Sequence, residues 1–268
     1  MQNYPHQPWG QQPSNQYPQQ YPQGAWGGWG AGPRAQVESG AERLAFIRKV
    51  YGLFTASVVL SALGAMIALY AGAESSQISY HGVRVPPLVA LVGGSPIIAF
   101  IVTLGVMFGA SAVRRVRGLN VVALFGMSFL LGIIFAPSLF VAQISAGLGG
   151  TLSAHPIRDA FLLATLMFGG LTGYVVLSKK DFSYLGGALT MGIFVILGAS
   201  ILNIFLGSNA LGLAIASVGL ILFGGYVLFD TSRILRSQDR DAVGGAMQLY
   251  IDFLNIFLFL LRLLGSRR

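Results

Sequence analysis

Seven apolar stretches, approximately 50–72, 87–112, 119–143, 158–178, 183–206, 209–232 and 245–264, dominate this 268-residue chain. Each is long enough to cross a hydrocarbon core of ~30 Å as a helix rising 1.5 Å per residue. Inside that core every backbone amide must be paired within its own segment or a closed barrel, which favours helices. Strict period-two alternation is missing, and this argues against a barrel. Only 10% of the residues are charged, where a soluble domain carries roughly 25%. An ordinary soluble enzyme is excluded. The expected fold is all-α: a polytopic membrane helix bundle with seven transmembrane helices. Pro96 and Pro137 fall inside the second and third stretches and are expected to kink them. Gly105 with Gly109, and Gly169 with Gly173, have the spacing for close helix contact, a weak signal among 36 glycines.

The chain has no cysteine, so disulfides, thiolate metal sites and a cysteine nucleophile are ruled out. Its three histidines are scattered, and no cofactor is expected. Residues 1–33 carry no Asp, Glu, Lys or Arg and consist of steps such as Tyr4-Pro5 and Tyr21-Pro22-Gln23, then a glycine-rich run. Residues 1–40 are therefore expected to form a disordered cytoplasmic tail rich in Gln, Pro, Gly and Tyr, with the transmembrane domain at 41–268. The tail has no basic start followed by an apolar run, so it does not read as a secretory signal. A dispensable arm and a sticky partner-binding arm are both open readings.

The net charge of +8 reads as membrane orientation, not nucleic-acid binding. With the N-terminus cytoplasmic, twelve basic residues fall in inside segments and two, Arg84 and Arg158, fall outside. Arg262, Arg267 and Arg268 then lie on the outer side of a seven-span chain. A six-span alternative with a re-entrant last segment would return them inside. The expected location is the cell (inner) membrane, multi-pass, with the N-terminus cytoplasmic.

Two carboxylates sit where bilayer physics resists them. Asp230 lies near the end of the sixth stretch, in Tyr226-Val227-Leu228-Phe229-Asp230, and Asp252 lies early in the seventh. A carboxylate at a helix centre in a bilayer costs roughly 2.5–3.5 kcal/mol on insertion scales. Each aspartate is 11 residues from Asp241, so two antiparallel helices joined there would bring both to similar depth. Carboxylates sharing a low-dielectric site resist double ionisation, and their titration belongs to the pair. Gln248, Asp252, Asn255 and Arg262 share one helical face, as do Tyr226, Asp230 and Arg233. These five companions, Gln248, Asn255, Tyr226, Arg233 and Arg262, are candidate pore-lining residues. A plainer reading also stands: an intrahelical Asp230–Arg233 ion pair, with Asp252 and Asn255 as interhelical glue.

The run Leu249-Tyr250-Ile251-Asp252-Phe253-Leu254-Asn255-Ile256-Phe257-Leu258, then Leu260-Leu261-Arg262-Leu263-Leu264-Gly265, resembles the signature of the Bax inhibitor-1 family. Tyr226-Val227-Leu228-Phe229-Asp230-Thr231 and Asn203-Ile204-Phe205 extend the resemblance in the expected order, over roughly 43–265. The resemblance implies six helices around a central seventh, acting as a pH-sensitive calcium leak channel. It implies that Asp230 and Asp252 form the proton sensor and coordinate calcium transiently. It also implies a latch arginine at the cytoplasmic end of the second span, falling on Arg114 with Arg115 as its rival. Bacterial relatives can carry an acidic residue inside that span, whereas Phe100 to Gly109 holds none. The implied partners are the lipid bilayer, calcium ions and protons; oligomeric state is unspecified.

Rival readings are a proton-coupled transporter, a regulator of other membrane proteins, and an intramembrane aspartyl protease with one aspartate per helix. The protease reading is weakened because Leu249-Tyr250-Ile251 precedes Asp252 where that family's signature resembles Gly-x-Gly. No enzyme activity is expected. A retinal protein fails because the last stretch has no lysine.

Overall fold

A chain that must bury its amides in hydrocarbon has helix as its economical choice, and this one takes it almost throughout. The computed structural model describes residues 40–265 apart from 117, 149–154 and 238–239. The expected tail lies outside the described residues except for Gly40. In chain order the helices are α1 Gly40–Tyr70, α2 Pro87–Gly93, α3 Pro96–Val113, α4 Leu119–Leu148 and α5 Pro156–Ser178. Then come α6 Gly186–Leu206, entered through a 3₁₀ turn Ser183–Leu185, α7 Asn209–Arg236 and α8 Ala242–Gly265. Among the described residues seven helices, all but α2, are long and apolar enough to cross a membrane.

The second crossing differs from expectation. Pro96 does not kink one helix over 87–112; it starts a new one. Ser95 before it is extended (φ −143°, ψ 84°), as the clash with a following proline ring demands. Pro96 takes the first helical position, where its missing N–H costs nothing. Only α3 then crosses, about 27 Å long, while α2 is a seven-residue helix beside it. Pro137, by contrast, sits inside an unbroken α4. A small antiparallel hairpin, Ser79–Tyr80 with Val83–Arg84, is the one departure from all-helix in the described residues. His81 and Gly82 both have positive φ (49° and 78°), as a two-residue hairpin turn requires.

The last helix occupies the centre. Thirteen of the 24 residues of α8 are buried, and it packs against α1, α4, α5 and α7. An aromatic group locks three of these together: Phe253 of α8 meets Phe54 of α1 and Phe168 of α5 edge-on, each at 5.8 Å. Phe54 and Phe168 themselves stack at 4.9 Å. The helices α3 and α6 are held mainly through α4 and α7. Their outward faces are apolar: Phe108, Met191, Phe194, Val195 and Phe205 are all exposed. Such a surface is stable against lipid and not against water.

The tightest crossing joins α1 and α4. A Cβ on Gly64 would collide with the carbonyl oxygen of Phe129, and one on Gly132 with that of Ser61. The glycine pairs singled out by spacing play no such part, since a Cβ at 105, 109, 169 or 173 meets nothing within 4 Å. Where α5 ends, Asp181 accepts from the Ser183 amide at 2.9 Å and faces Arg236 of α7 at 3.2 Å. Arg236 also donates to the Lys179 carbonyl at 2.7 Å.

Two measurements check this packing. Gly132→Ala should cost about 1–3 kcal/mol, because backbone must move to admit the methyl; Gly105→Ala should be neutral or gain up to ~1 kcal/mol. Thermal unfolding in detergent compares them. Asp181→Asn should destabilise at neutral pH. The Ser183 amide first, its hydroxyl next, and then Arg236 hold the Asp181 carboxyl below its ordinary 3.8. A depressed carboxyl stabilises above its unfolded value and loses that contribution as pH falls through the folded one. The gap between wild type and variant should therefore close below pH 3.8.

Candidate functional site

α7 begins on Ser208, whose side chain accepts from the Leu211 amide, and its core face descends through Gly219, Phe223 and Val227 to Asp230. α8 begins on Asp241 and presents Val243, Met247 and Tyr250 to one cluster and Leu249, Phe253 and Ile256 to another. Asp252 lies among them. Both acids are buried, Asp230 at 6% exposure and Asp252 at 3%. Their carboxyl groups meet side chain to side chain. An ionised carboxylate only accepts, so a hydrogen bond between the two needs a proton on one of them. The second oxygen of Asp252, Oδ2, is buried with no hydrogen-bond partner among the described residues.

The two acids lie at unequal distances from the ends of their helices. Asp230 stands six residues from the end of α7, about 9 Å, and Asp252 ten residues from the start of α8, about 15 Å. The two helix ends are staggered, and the carboxyls meet because of that stagger. Arg233, one turn beyond Asp230, supplies the positive charge that acts on it; its own side chain reaches the surface.

Arg114 is placed elsewhere than on the pair. It caps the C-terminus of α3, and the ion pair it makes is with Asp241, Nε to Oδ2 at 3.9 Å. The other oxygen of Asp241 accepts from the Gly244 amide at 2.8 Å, an N-cap on α8. A Cβ on Gly244 would press on that carboxylate and shift it from its place. Arg115 follows in the turn and is exposed.

The other candidates lie at different heights along α7 and α8, with Tyr226 and Arg233 near enough to act on the acids. Tyr226 shares its hydroxyl with Thr190 of α6. Asn255 turns back to the Ile251 carbonyl at 2.8 Å, and Gln248 is half-buried. Arg262 belongs to the far end, ten residues or about 15 Å along α8 from Asp252, with its guanidinium against Gly212 of α7. A cavity of about 680 Å³ opens between α1, α4, α5 and α8, and none of these five residues lines it.

Sequence reasoning missed two groups. One is a ring of contacts joining helix ends: Arg43 to the Leu235 carbonyl, Arg240 to Glu42 at 3.1 Å, Arg236 to Asp181, and Arg114 to Asp241. The signal for its capping member was present, as Asp241 three residues before Gly244 and an apolar run. The other is buried hydroxyls: Tyr51 beside Thr231 and Thr172, and Tyr250 donating to the Ser128 carbonyl at 3.3 Å. These lie in apolar stretches with no pattern to mark them.

The model of the family described as "Inhibitor of apoptosis-promoting Bax1" matches residues 43–268. The chain belongs to the Bax inhibitor-1 family. An uncharacterised protein of Campylobacter jejuni is 35% identical over 82% of this chain and 88% of its own length. An uncharacterised membrane protein of Vibrio cholerae is 31% identical over 86% and 93%. Protein lifeguard 4 of Mus musculus is 31% identical over 84% and 86%. With seven helices fit to cross, this Bax inhibitor-1 family member is a polytopic membrane protein.

The double role of Asp241 can be separated by substitution. Asp241→Ala removes cap and ion pair and should cost about 0.5–2 kcal/mol. Asp241→Asn keeps the cap and loses only the ion pair, a cost below ~1 kcal/mol for partly exposed partners. Thermal unfolding of the two variants beside Arg114→Ala reads the difference; equal losses for Ala and Asn would contradict the cap.

Proposed function

We propose that the protein is a pH-sensitive calcium leak in which Asp230 and Asp252 are the proton sensor. The observation that carries this reading is the contact between two buried carboxyls from neighbouring membrane-spanning helices. A pair of this kind changes its bonding with each proton gained or lost. With one proton it ties α7 to α8; with none, two like charges face each other in a low-dielectric core. Those states differ by interactions large enough to bias a helix rearrangement, which is what a proton switch needs.

The orphaned Oδ2 of Asp252 supports a visit by a hard cation as well as a proton. Calcium takes six to eight oxygens, and among the described residues no group of three or more acidic or histidine side chains converges. Two carboxylates hold the ion weakly, which suits passage and not storage. The latch in this reading acts at one remove: Arg114 ties the end of α3 to Asp241 at the head of α8, the helix that carries Asp252. The end rich in Arg and Lys is taken as cytoplasmic, with the chain in the inner membrane and its N-terminus inside.

The test is calcium entry into dye-loaded proteoliposomes after a pH jump. Asp230→Asn with Asp252→Asn should leave a flux that no longer responds to pH; an unchanged response would dismiss the sensor. Arg114→Ala and Asp241→Asn should each raise the resting leak by no more than several-fold, since an ion pair of this exposure holds ~1 kcal/mol or less. The double variant should do no more than either alone. The absence of native cysteine lets single cysteines at Lys180 and Ser79 report sidedness by impermeant labelling.

A further inference from the structure

The cavity between α1, α4, α5 and α8 is separate from the acid pair and from every residue assigned to it. At about 680 Å³ it falls within the ~300–1,000 Å³ range of small-molecule sites. Its shape follows the lining: from Val58 to Tyr70 along α1 it extends twelve residues, about 18 Å. One leaflet of a ~30 Å hydrocarbon core is about 15 Å deep. The walls are apolar and aromatic, with Phe135, Leu139, Phe161 and Phe257. The floor is Ser61 and Tyr250, the latter 1% exposed and bonded to Ser128.

The mouth is of different chemistry. Gln143, His155 and Arg158 line it, where α5 begins. His155 makes no side-chain cap, and Pro156 fills the first helical position. The amides of the first turn thus meet no capping side chain, and they carry the positive end of a 23-residue helix dipole. Arg158 is exposed and paired with its neighbour Asp159 at 3.0 Å through Nε and one terminal nitrogen, both on Oδ1. The second terminal nitrogen of the fork is not engaged by that carboxylate and can take another anion. A one-leaflet apolar slot under a mouth that offers the free arm of a guanidinium and an uncapped helix N-terminus is complementary to a phosphate-headed acyl lipid.

We infer that this cavity holds one acyl chain of an anionic membrane phospholipid, with the phosphate at Arg158 and the first turn of α5. The occupant enters from the leaflet opposite the acid pair and fills the slot down to Tyr250. Occupancy braces α1 against α5 without touching the Asp230–Asp252 contact, so the inference is independent of the calcium reading.

The experiment uses the full chain in nanodiscs containing phosphatidylglycerol or phosphatidylcholine that bears a diazirine on one acyl chain. Cross-linked residues are read by peptide mass spectrometry. Phosphatidylglycerol should label Phe135, Phe161 and Phe257 several-fold more than the exposed α6 residues Phe194 and Val195. Phosphatidylcholine, whose choline cation would face Arg158 and the positive end of α5, should not show that enrichment. Ala62→Trp, which fills the slot from α1, should lower cavity labelling at least five-fold and leave α6 labelling unchanged. Arg158→Glu should abolish the preference for the anionic lipid while the fold, monitored by the melting temperature, persists. Equal labelling of cavity and α6, or equal labelling by both lipids in the wild type, overturns the proposal. So does modification of a cysteine placed at Leu139 by an impermeant thiol reagent, which would make the cavity an aqueous vestibule.

Discussion

A carboxyl group in hydrocarbon has no water to bond, and the interior of this bundle offers Asp230 and Asp252 mainly each other. That requirement fixes the relation between the last two helices more tightly than their apolar faces could. Apolar side chains slide past one another at little cost in a medium as apolar as themselves, whereas two buried carboxyls have one workable register. Moving α8 by a single residue along α7 would separate them and leave two polar groups buried without partners. The rest of the surface of α8 carries Phe253 to α1 and α5, and Tyr250 to α4.

The two ends of the bundle are built on different chemistry. Near the acids, arginines stitch helix termini together: Arg43 and Arg240 join α1 to α7 and to the residues leading into α8, Arg236 joins α7 to the end of α5, and Arg114 joins α3 to α8. Each bond is weak by itself because it is partly exposed. Their value lies in where they act, since helix C-terminal carbonyls and an N-cap are groups that need partners. At the other end the helices part around the cavity, and what holds α1 to α4 there is the approach of backbones permitted by Gly64 and Gly132. One end is stitched by bonds between helix termini, and the other opens around the cavity.

What the sequence made legible was whatever is expensive. Asp230 and Asp252 announced themselves because a carboxylate in a membrane segment needs a reason, and the structure brings them together. Helix existence was equally plain, since length and hydropathy in a bilayer leave few alternatives. Contacts that cost nothing locally were not legible. Gly64 and Gly132 look like any other glycine, while Gly105 and Gly169 have the better spacing and touch nothing. Pro96 was visible as a disturbance, but whether a proline kinks a helix or restarts it depends on the residue before it: Ser95 extends, and the helix breaks. Arg114 was singled out by the family resemblance, with Arg115 as its rival. Its contact with Asp241 was not legible, because the relative heights of the end of α3 and the start of α8 are a property of the packed bundle.

That displacement of Arg114 changes how a latch could communicate with the acids. Asp241 binds Arg114 with one oxygen and the first turn of α8 with the other. Asp252 is 11 residues on, three turns along the same helix. An α-helix is stiff over that distance, so a pull on its cap shifts or rotates the whole segment, and a sub-ångström shift is enough to alter a carboxyl–carboxyl hydrogen bond. Any such coupling is reciprocal: a change at the Asp230–Asp252 contact that strained the Asp241 cap would be matched by the same free energy in the other direction. If the two acids sense protons and Arg114 acts as a latch, α8 is the stiff element that joins them, and no direct contact of the arginine with the acids is required.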